Sequence, residues 1–257
     1  MSFDRFKHII RKINHRLIKL RLQPIRVFCF HQVSEMYDPL RMWECDWTQM
    51  EQLKRNLVVM KSQYTFISLS EAQKHLQKDW FRCRKYAVLT ADDGYKSISN
   101  IIPWLEEQRI PITLFINTKY LDGKSWSAIN EEQARRALGD QCTNIQLADA
   151  VSGMYLSKDE LFALTSPLIE IGMHGHEHLD ATKQSKEEFV RNIESCKKEL
   201  QFHPRYIPFF AYTWGHYNEQ TDGILQELNL TPVLVNGGKN YNNSNRIDRE
   251  CIDGKKL

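Results

Sequence analysis

Strands and helices alternate along this 257-residue chain, and the alternation predicts an α/β fold built on a mostly parallel sheet or barrel. Two further observations support that class. Acidic and imidazole side chains sit just beyond apolar, strand-like runs, which is where parallel α/β folds collect their functional groups. And with 42% hydrophobic residues the chain can bury a substantial core as one domain.

Taken in order, residues 25–30 read as a short apolar strand ending at His31. Residues 47–62 have helical periodicity, 64–69 read as extended, and Ser70 is placed to cap a helix over 71–78. Residues 86–90 form an apolar strand that runs into Asp92 and Asp93. Residues 97–108 are helical, and Pro111 precedes the β-rich Ile112-Thr113-Leu114-Phe115-Ile116. The stretch 122–156 is polar and irregular, with one helix near 130–138, and reads as an insertion beside the site rather than a second domain. Ser157-Lys158-Asp159-Glu160 is a capping box that opens the next helix. A strand over 168–171 leads to a histidine cluster, and helices near 185–201 and 218–229 with strands near 206–211 and 232–235 complete the pattern.

Charge is unevenly placed. Residues 1–26 hold eight Lys/Arg and one acid, a local charge of +7, so the remainder carries −4. No basic stripe crosses the body, which argues against nucleic acid as a partner. Phe6, Ile9, Ile13, Leu17 and Leu20 mark one face of a helix within residues 1–24, ringed by Lys and Arg. Such a helix fits contact with an anionic membrane surface, or packing on the domain (residues 25–257) or on a partner. Charges interrupt the place where a secretory signal has its apolar core, and no apolar run approaches membrane-spanning length. The six cysteines are scattered with no Cys-x-x-Cys pair, as expected in a reducing compartment, and a cytoplasmic location is the expectation.

The chemistry concentrates in Asp92-Asp93-Gly94 and, about eighty residues on, His174-Gly175-His176-Glu177-His178. A carboxylate and two imidazoles make a metal site with positions open to water, and a second carboxylate can then manage the water's proton. Asp-Asp-Gly alone is an ordinary turn; the two clusters together, each at a strand end, are a strong signal for a metal-dependent hydrolase. His176 reads as a neighbour of the ligands, although an extended 174–178 segment would place all three imidazoles on one face.

These residues carry a family resemblance. Thr90-Ala91-Asp92-Asp93-Gly94-Tyr95 resembles the Thr-Phe-Asp-Asp-Gly motif of NodB-homology polysaccharide deacetylases, and His174 through His178 resembles their His-Ser/Thr-x-x-His motif with Gly175 in the second place. Phe210-Ala211-Tyr212-Thr213-Trp214-Gly215 is similar to the Phe-Ala-Tyr-Pro-Tyr-Gly segment of the branch acting on poly-N-acetylglucosamine, and Phe30-His31-Gln32-Val33 to a Tyr-His-x-Val near the start of that branch. The likeness spans roughly residues 25–250. It implies an irregular (β/α) barrel and removal of N-acetyl groups from a sugar or polysaccharide. It implies a divalent metal, zinc, held by Asp93, His174 and His178, with Asp92 as general base. It places the backbone N–H of Trp214, beside Tyr212, against the oxyanion. His31 is the candidate general acid, because no histidine follows His216 to fill the C-terminal place usual in the family. Arg246 or Arg249 is expected to orient Asp92. Thr213 and Trp214 depart from Pro-Tyr, which motivates a second reading, a degenerate relative that binds metal or glycan without turnover. A non-haem iron oxygenase shares the two-histidine, one-carboxylate set but fits the Asp-Asp pair less well.

Overall fold

The computed structural model describes residues 23–78, 84–139, 141–242 and 244–255, so the amphipathic helix expected within 1–24 lies, except for its last two positions, outside the described residues. The strands are β1 Ile25–Phe30, β2 Gln32–Ser34, β3 Trp47–Gln49, β4 Thr65–Phe66, β5 Tyr86–Ala91, β6 Ile112–Ile116, β7 Ile169–Met173, β8 Tyr206–Ala211, β9 Thr231–Val235, β10 Lys239–Asn240 and β11 Ile247–Cys251. The α-helices are α1 Met50–Gln63, α2 Leu69–Lys78, α3 Ile102–Glu107, α4 Ala128–Leu138, α5 Asn144–Val151, α6 Lys158–Phe162, α7 Lys186–Leu200 and α8 Glu219–Glu227.

Seven strands close into a ring in chain order, β1, β5, β6, β7, β8, β9, β11 and back to β1, with every neighbouring pair parallel. This is the irregular (β/α) barrel that the sequence implies. β4 extends the sheet beside β5, β10 pairs antiparallel with β1, and β2 and β3 form a separate short ribbon. Parallel closure brings the carboxyl ends of all seven strands to one mouth, which is what positions the site.

The strands are apolar on both faces because both are covered. Alternate residues turn inward, and Ile25, Val27, Val88, Phe115, Phe209, Val233 and Ile247 pack into one cluster with Leu69, Ala72 and Leu76 of α2. The outward set, including Leu89, Leu114, Ile116 and Phe210, packs against Leu53 and Leu57 of α1 and Phe189, Ile193 and Leu200 of α7. Polar residues interrupt the inward set near both ends of the barrel. Glu170 accepts the N–H groups of Leu69 (3.0 Å) and Ser70 (3.2 Å), binding the start of α2.

Several elements differ from the sequence expectation. The helix expected over 47–62 begins at Met50, since residues 47–49 pair with β2 and the Gln49 side chain caps the first turn. Ser70 is not the cap: α2 starts at Leu69, and Ser68 Oγ accepts the Glu71 N–H at 3.2 Å. The buried Glu170 carboxylate fixes that start, a long-range contact that overrides the local signal. Residues 122–156 hold two helices, α4 and α5, rather than one. β11, which the sequence reading left unassigned, completes the ring.

Gly172 on β7 leaves room for the Phe115 ring inside the barrel: an added Cβ would lie 2.5 Å from Phe115 Cε1. Gly172→Ala is therefore expected to overpack the interior at a cost of about 1–3 kcal/mol. A lowered midpoint in urea denaturation with unchanged slope checks this; an unchanged midpoint would show that the ring has room to yield.

Candidate active site

The mouth of the barrel gathers side chains from strands far apart in sequence. Asp92 and Asp93 follow β5, His31 follows β1, His174 follows β7, Trp214 follows β8, and Arg249 lies on β11. His31, Asp92, Asp93, His174, His178, Tyr212 and Trp214 all line one cleft.

The two adjacent acids face different partners. Asp92 is buried and bidentate to Arg249, with Nη1 donating to Oδ1 at 2.6 Å and Nη2 to Oδ2 at 2.7 Å. Arg249 is fully buried, donates also to Thr90 Oγ1 (3.1 Å) and the Leu234 carbonyl (3.3 Å), and lies over the Phe115 ring at 5.1 Å. Burial by itself would raise the Asp92 pKa; the Arg249 charge outweighs it and holds the carboxyl below its ordinary value. Asp92 is thus ionised at neutral pH. Of the two arginines the sequence left open, Arg249 takes this position, while Arg246 pairs with Asp222.

Asp93 instead turns toward the imidazoles. Its Oδ1 lies 3.3 Å from both His174 Nε2 and His178 Nε2. That oxygen is buried and has no hydrogen-bond partner, an arrangement that is costly unless something else satisfies it. His174 Nδ1 is committed to the Ala211 carbonyl at 2.8 Å, which leaves Nε2 directed at the centre. Burial is the main reason the His178 pKa falls, to about 4, so its ring is neutral at pH 7, the form that ligates a metal. An orphaned carboxylate oxygen, two imidazole nitrogens and open space toward the cleft fit a divalent ion of the zinc type.

The backbone at this centre is strained. Asp93 and Trp214 have φ of 69° and 61°, a region that side chains other than glycine seldom adopt. Arg109 and Asn229, the other described non-glycine residues with positive φ, each follow a helix end, where such a conformation is common. Asp93 and Trp214 instead stand at the mouth of the barrel, lining the same cleft as the imidazoles. Gly175 sits at φ +90° with Asn192 Oδ1 and the Glu177 carbonyl each 3.0 Å from a hypothetical Cβ, which accounts for glycine where Ser or Thr is usual.

His31 is not alone. Its Nδ1 lies 2.6 Å from Asp253 Oδ2, while Asp253 Oδ1 accepts the His31 backbone N–H (3.0 Å) and the Thr48 hydroxyl (3.1 Å). Burial would lower the His31 pKa, but hydrogen bonds to Asp253 and Cys251 reverse this and hold it well above the ordinary value. The ring is protonated at neutral pH. Asp253, Cys251, Asp46, Tyr95 and Tyr155 were not foreseen as site residues; the last four line the cleft, and Asp253 stands behind His31. Ile252-Asp253-Gly254 is a turn signal, and nothing local couples it to a histidine 222 positions earlier.

The Tyr212 ring is buried and its hydroxyl donates to Asp222 at 2.8 Å, so that hydroxyl is not presented to the cleft. Trp214 is 53% exposed and packs edge-on to His178 with centroids 5.0 Å apart. His176 bonds Thr118 Oγ1 through Nδ1 (2.9 Å) and stands outside the Asp93 group. His203 is buried with Nε2 on the Leu161 carbonyl at 3.0 Å.

A family model described as polysaccharide deacetylase matches residues 82–233, more than half of the chain. Among solved structures, IcaB from Ammonifex degensii is 16% identical with a TM-score of 0.67, covering 90% of this chain and 93% of its own. PplD from Streptococcus pyogenes, solved in complex with acetate, is 19% identical with a TM-score of 0.66, covering 89% and 92%. The BpsB deacetylase domain from Bordetella bronchiseptica is 16% identical with a TM-score of 0.63, covering 90% and 96%. At these identities the likeness is one of fold. Curated proteins give no match.

Removing Arg249 would strand a buried carboxylate. Arg249→Met is expected to cost about 3–5 kcal/mol by chemical denaturation. Glu199→Ala, which breaks the exposed Lys158–Glu199 pair, is expected to stay within about 0.5 kcal/mol. Equal losses in the two variants would contradict the role given to the buried pair.

Proposed function

This chain belongs to the polysaccharide deacetylase family, and from that premise we propose that it removes the acetyl group from an N-acetylated sugar unit of a glycan by metal-assisted hydrolysis at the Asp92–Asp93 centre. It is a carbohydrate deacetylase, a hydrolase acting on a carbon–nitrogen bond other than a peptide bond. The observation that carries the mechanism is the split between the two acids: Asp92 is saturated by Arg249, while Asp93 presents an unpartnered buried oxygen to two imidazoles.

In this reading Asp93, His174 and His178 hold a divalent ion, zinc being the choice for one oxygen and two nitrogen ligands. When bound, such an ion acidifies water and polarises a carbonyl oxygen. Asp92, kept ionised by Arg249, takes the proton from water as its oxygen bonds the acetyl carbon. Trp214 lines the cleft in a left-handed turn, and in this reading its backbone N–H meets the charge developing on the former carbonyl oxygen. As the carbon–nitrogen bond breaks, His31 gives its proton to the sugar nitrogen, and amine and acetate leave. Asp253 keeps His31 charged for that step. Tyr212, tied to Asp222, holds the strand end that carries Trp214. The indole of Trp214 and the stacked Tyr95–Tyr155 pair (centroids 5.1 Å) flank the space for a sugar ring.

The reading without turnover draws on the altered 213–214 pair. The His31–Asp253 pair supports turnover, because it supplies a charged proton donor where the C-terminal histidine is missing. The sequence further suggests a cytoplasmic location, with residues 1–24 packed on the domain or on a partner or touching a membrane surface. Among the described residues no helix is long and apolar enough to cross a membrane.

Two measurements test the proposal. Zinc-loaded protein is expected to release acetate from one or more members of a panel of N-acetylated oligosaccharides, and Asp92→Asn to retain zinc while losing about 10²–10⁴-fold in rate. Acetate release by Asp92→Asn at the wild-type rate would remove Asp92 from the chemistry. The second is the pH profile. His31 must be protonated to act, and its raised pKa carries activity above the ordinary histidine range, with loss as pH rises through that value. Asp253→Asn removes the stabilising carboxylate, so the alkaline limb is expected to move to lower pH; an unmoved limb would show that His31 is not the donor.

A further inference from the structure

A second cluster of donor atoms lies beside the first. His31 Nδ1, Cys251 Sγ and Asp253 lie with their ligand atoms all within 4.8 Å of one another, and they share no residue with the Asp93, His174 and His178 group. Parallel pairing of β1 with β11 brings them together, since Cys29 stands opposite Cys251 in register, His31 follows β1 and Asp253 follows β11. We propose that His31, Cys251 and Asp253 form a second, zinc-type metal site whose occupation switches the enzyme off by taking the nitrogen lone pair of the proton donor.

The chemistry of the set argues for this. Nitrogen, sulfur and carboxylate oxygen together suit zinc or cobalt and disfavour magnesium or calcium, which take oxygen. Asp253 is preorganised: Oδ1 is clamped by the His31 N–H and the Thr48 hydroxyl, so Oδ2 faces both His31 Nδ1 (2.6 Å) and Cys251 Sγ (3.1 Å). Thr48 in turn accepts the Gly254 N–H at 3.1 Å, which fixes the turn holding Asp253. Such outer partners are what orient ligands in metal sites. A tetrahedral ion needs its donors roughly 3.3–3.8 Å apart, so the His31–Asp253 edge must open by roughly 1 Å. Cys251 is backed by buried Cys29, which stands opposite it in the β1–β11 register. His31 and Cys251 both line the cleft, so an ion has a path in. Ligand atoms must be deprotonated to bind, so the proton held between His31 and Asp253 leaves as the ion enters. With Nδ1 on a metal the ring cannot become an imidazolium, and the N–H left on Nε2 is too weak an acid to serve the departing amine.

Metal binding here stands on geometry alone; the inhibition rests on the deacetylase reading. The test is a cobalt titration of the metal-free full chain, followed by near-ultraviolet absorption and equilibrium dialysis. Wild type is expected to bind two ions and to develop a thiolate-to-cobalt charge-transfer band. Asp93→Asn is expected to bind one ion and keep the band. Cys251→Ser, with Cys251→Ala as the alternative should the serine variant not fold, is expected to bind one ion without the band. One ion in wild type, or a band that survives in the Cys251 variants, overturns the site. In a parallel assay, acetate release by wild type is expected to fall at least tenfold between one equivalent and excess zinc, and release by Cys251→Ser to fall no further than its own level at one equivalent. If no acetate is released at any zinc level while the cobalt results hold, the deacetylase reading fails and the metal site stands. If both proteins lose activity alike, the switch is wrong.

Discussion

The buried ion pair between Arg249 and Asp92 is the constraint on which the rest of the structure turns. A guanidinium in a barrel interior is costly to desolvate, and a carboxylate alone repays that only when geometry and further hydrogen bonds are good. The barrel supplies both. Thr90 and the Leu234 carbonyl take further N–H groups of Arg249, and Phe115 presents a ring face to it. Phe115 fits only because β7 carries Gly172 at that level. The charge on Arg249 then decides the protonation of Asp92, so interior packing is linked through Phe115 and Arg249 to the chemistry at the mouth.

The same pair explains why two neighbouring acids do different work. Asp92 lies on the inward register of β5 and meets Arg249; Asp93, one residue on, leaves the strand in a left-handed conformation that swings its carboxylate to the imidazoles. A positive φ in a residue other than glycine costs of order 1 kcal/mol or more. The strain at Asp93 is stabilised by its surroundings and gives a carboxylate position that extended backbone would not reach. Trp214 repeats the device on β8, three strands round the ring.

The barrel and the central residues were legible in the sequence because the strands that carry them are covered on both faces. β5 and β6 read as nearly continuous apolar runs and β7 as one broken by Glu170, and Asp92, Asp93 and His174 stand out just beyond β5 and β7. β11 was not legible for the converse reason. Its sequence, Ile247-Asp248-Arg249-Glu250-Cys251, places Arg249 and Cys251 on the inward register, so no apolar period survives. With β11 unassigned, Arg249 could not be separated from Arg246, and Asp253 had no reason to be noticed. Both depend on pairing across more than 150 residues of chain, a relation set by barrel closure and invisible in a local window.

The central claim is a division of labour in which Asp93, His174 and His178 hold the metal while Asp92 stays with Arg249 and off the ion. Anomalous diffraction from zinc-loaded crystals measures this directly. The account predicts a peak at about 2.0–2.2 Å from one Asp93 oxygen and from Nε2 of His174 and His178, with Asp92 still bidentate on Arg249. A peak coordinated by Asp92, or an Arg249 released from it, would contradict the account.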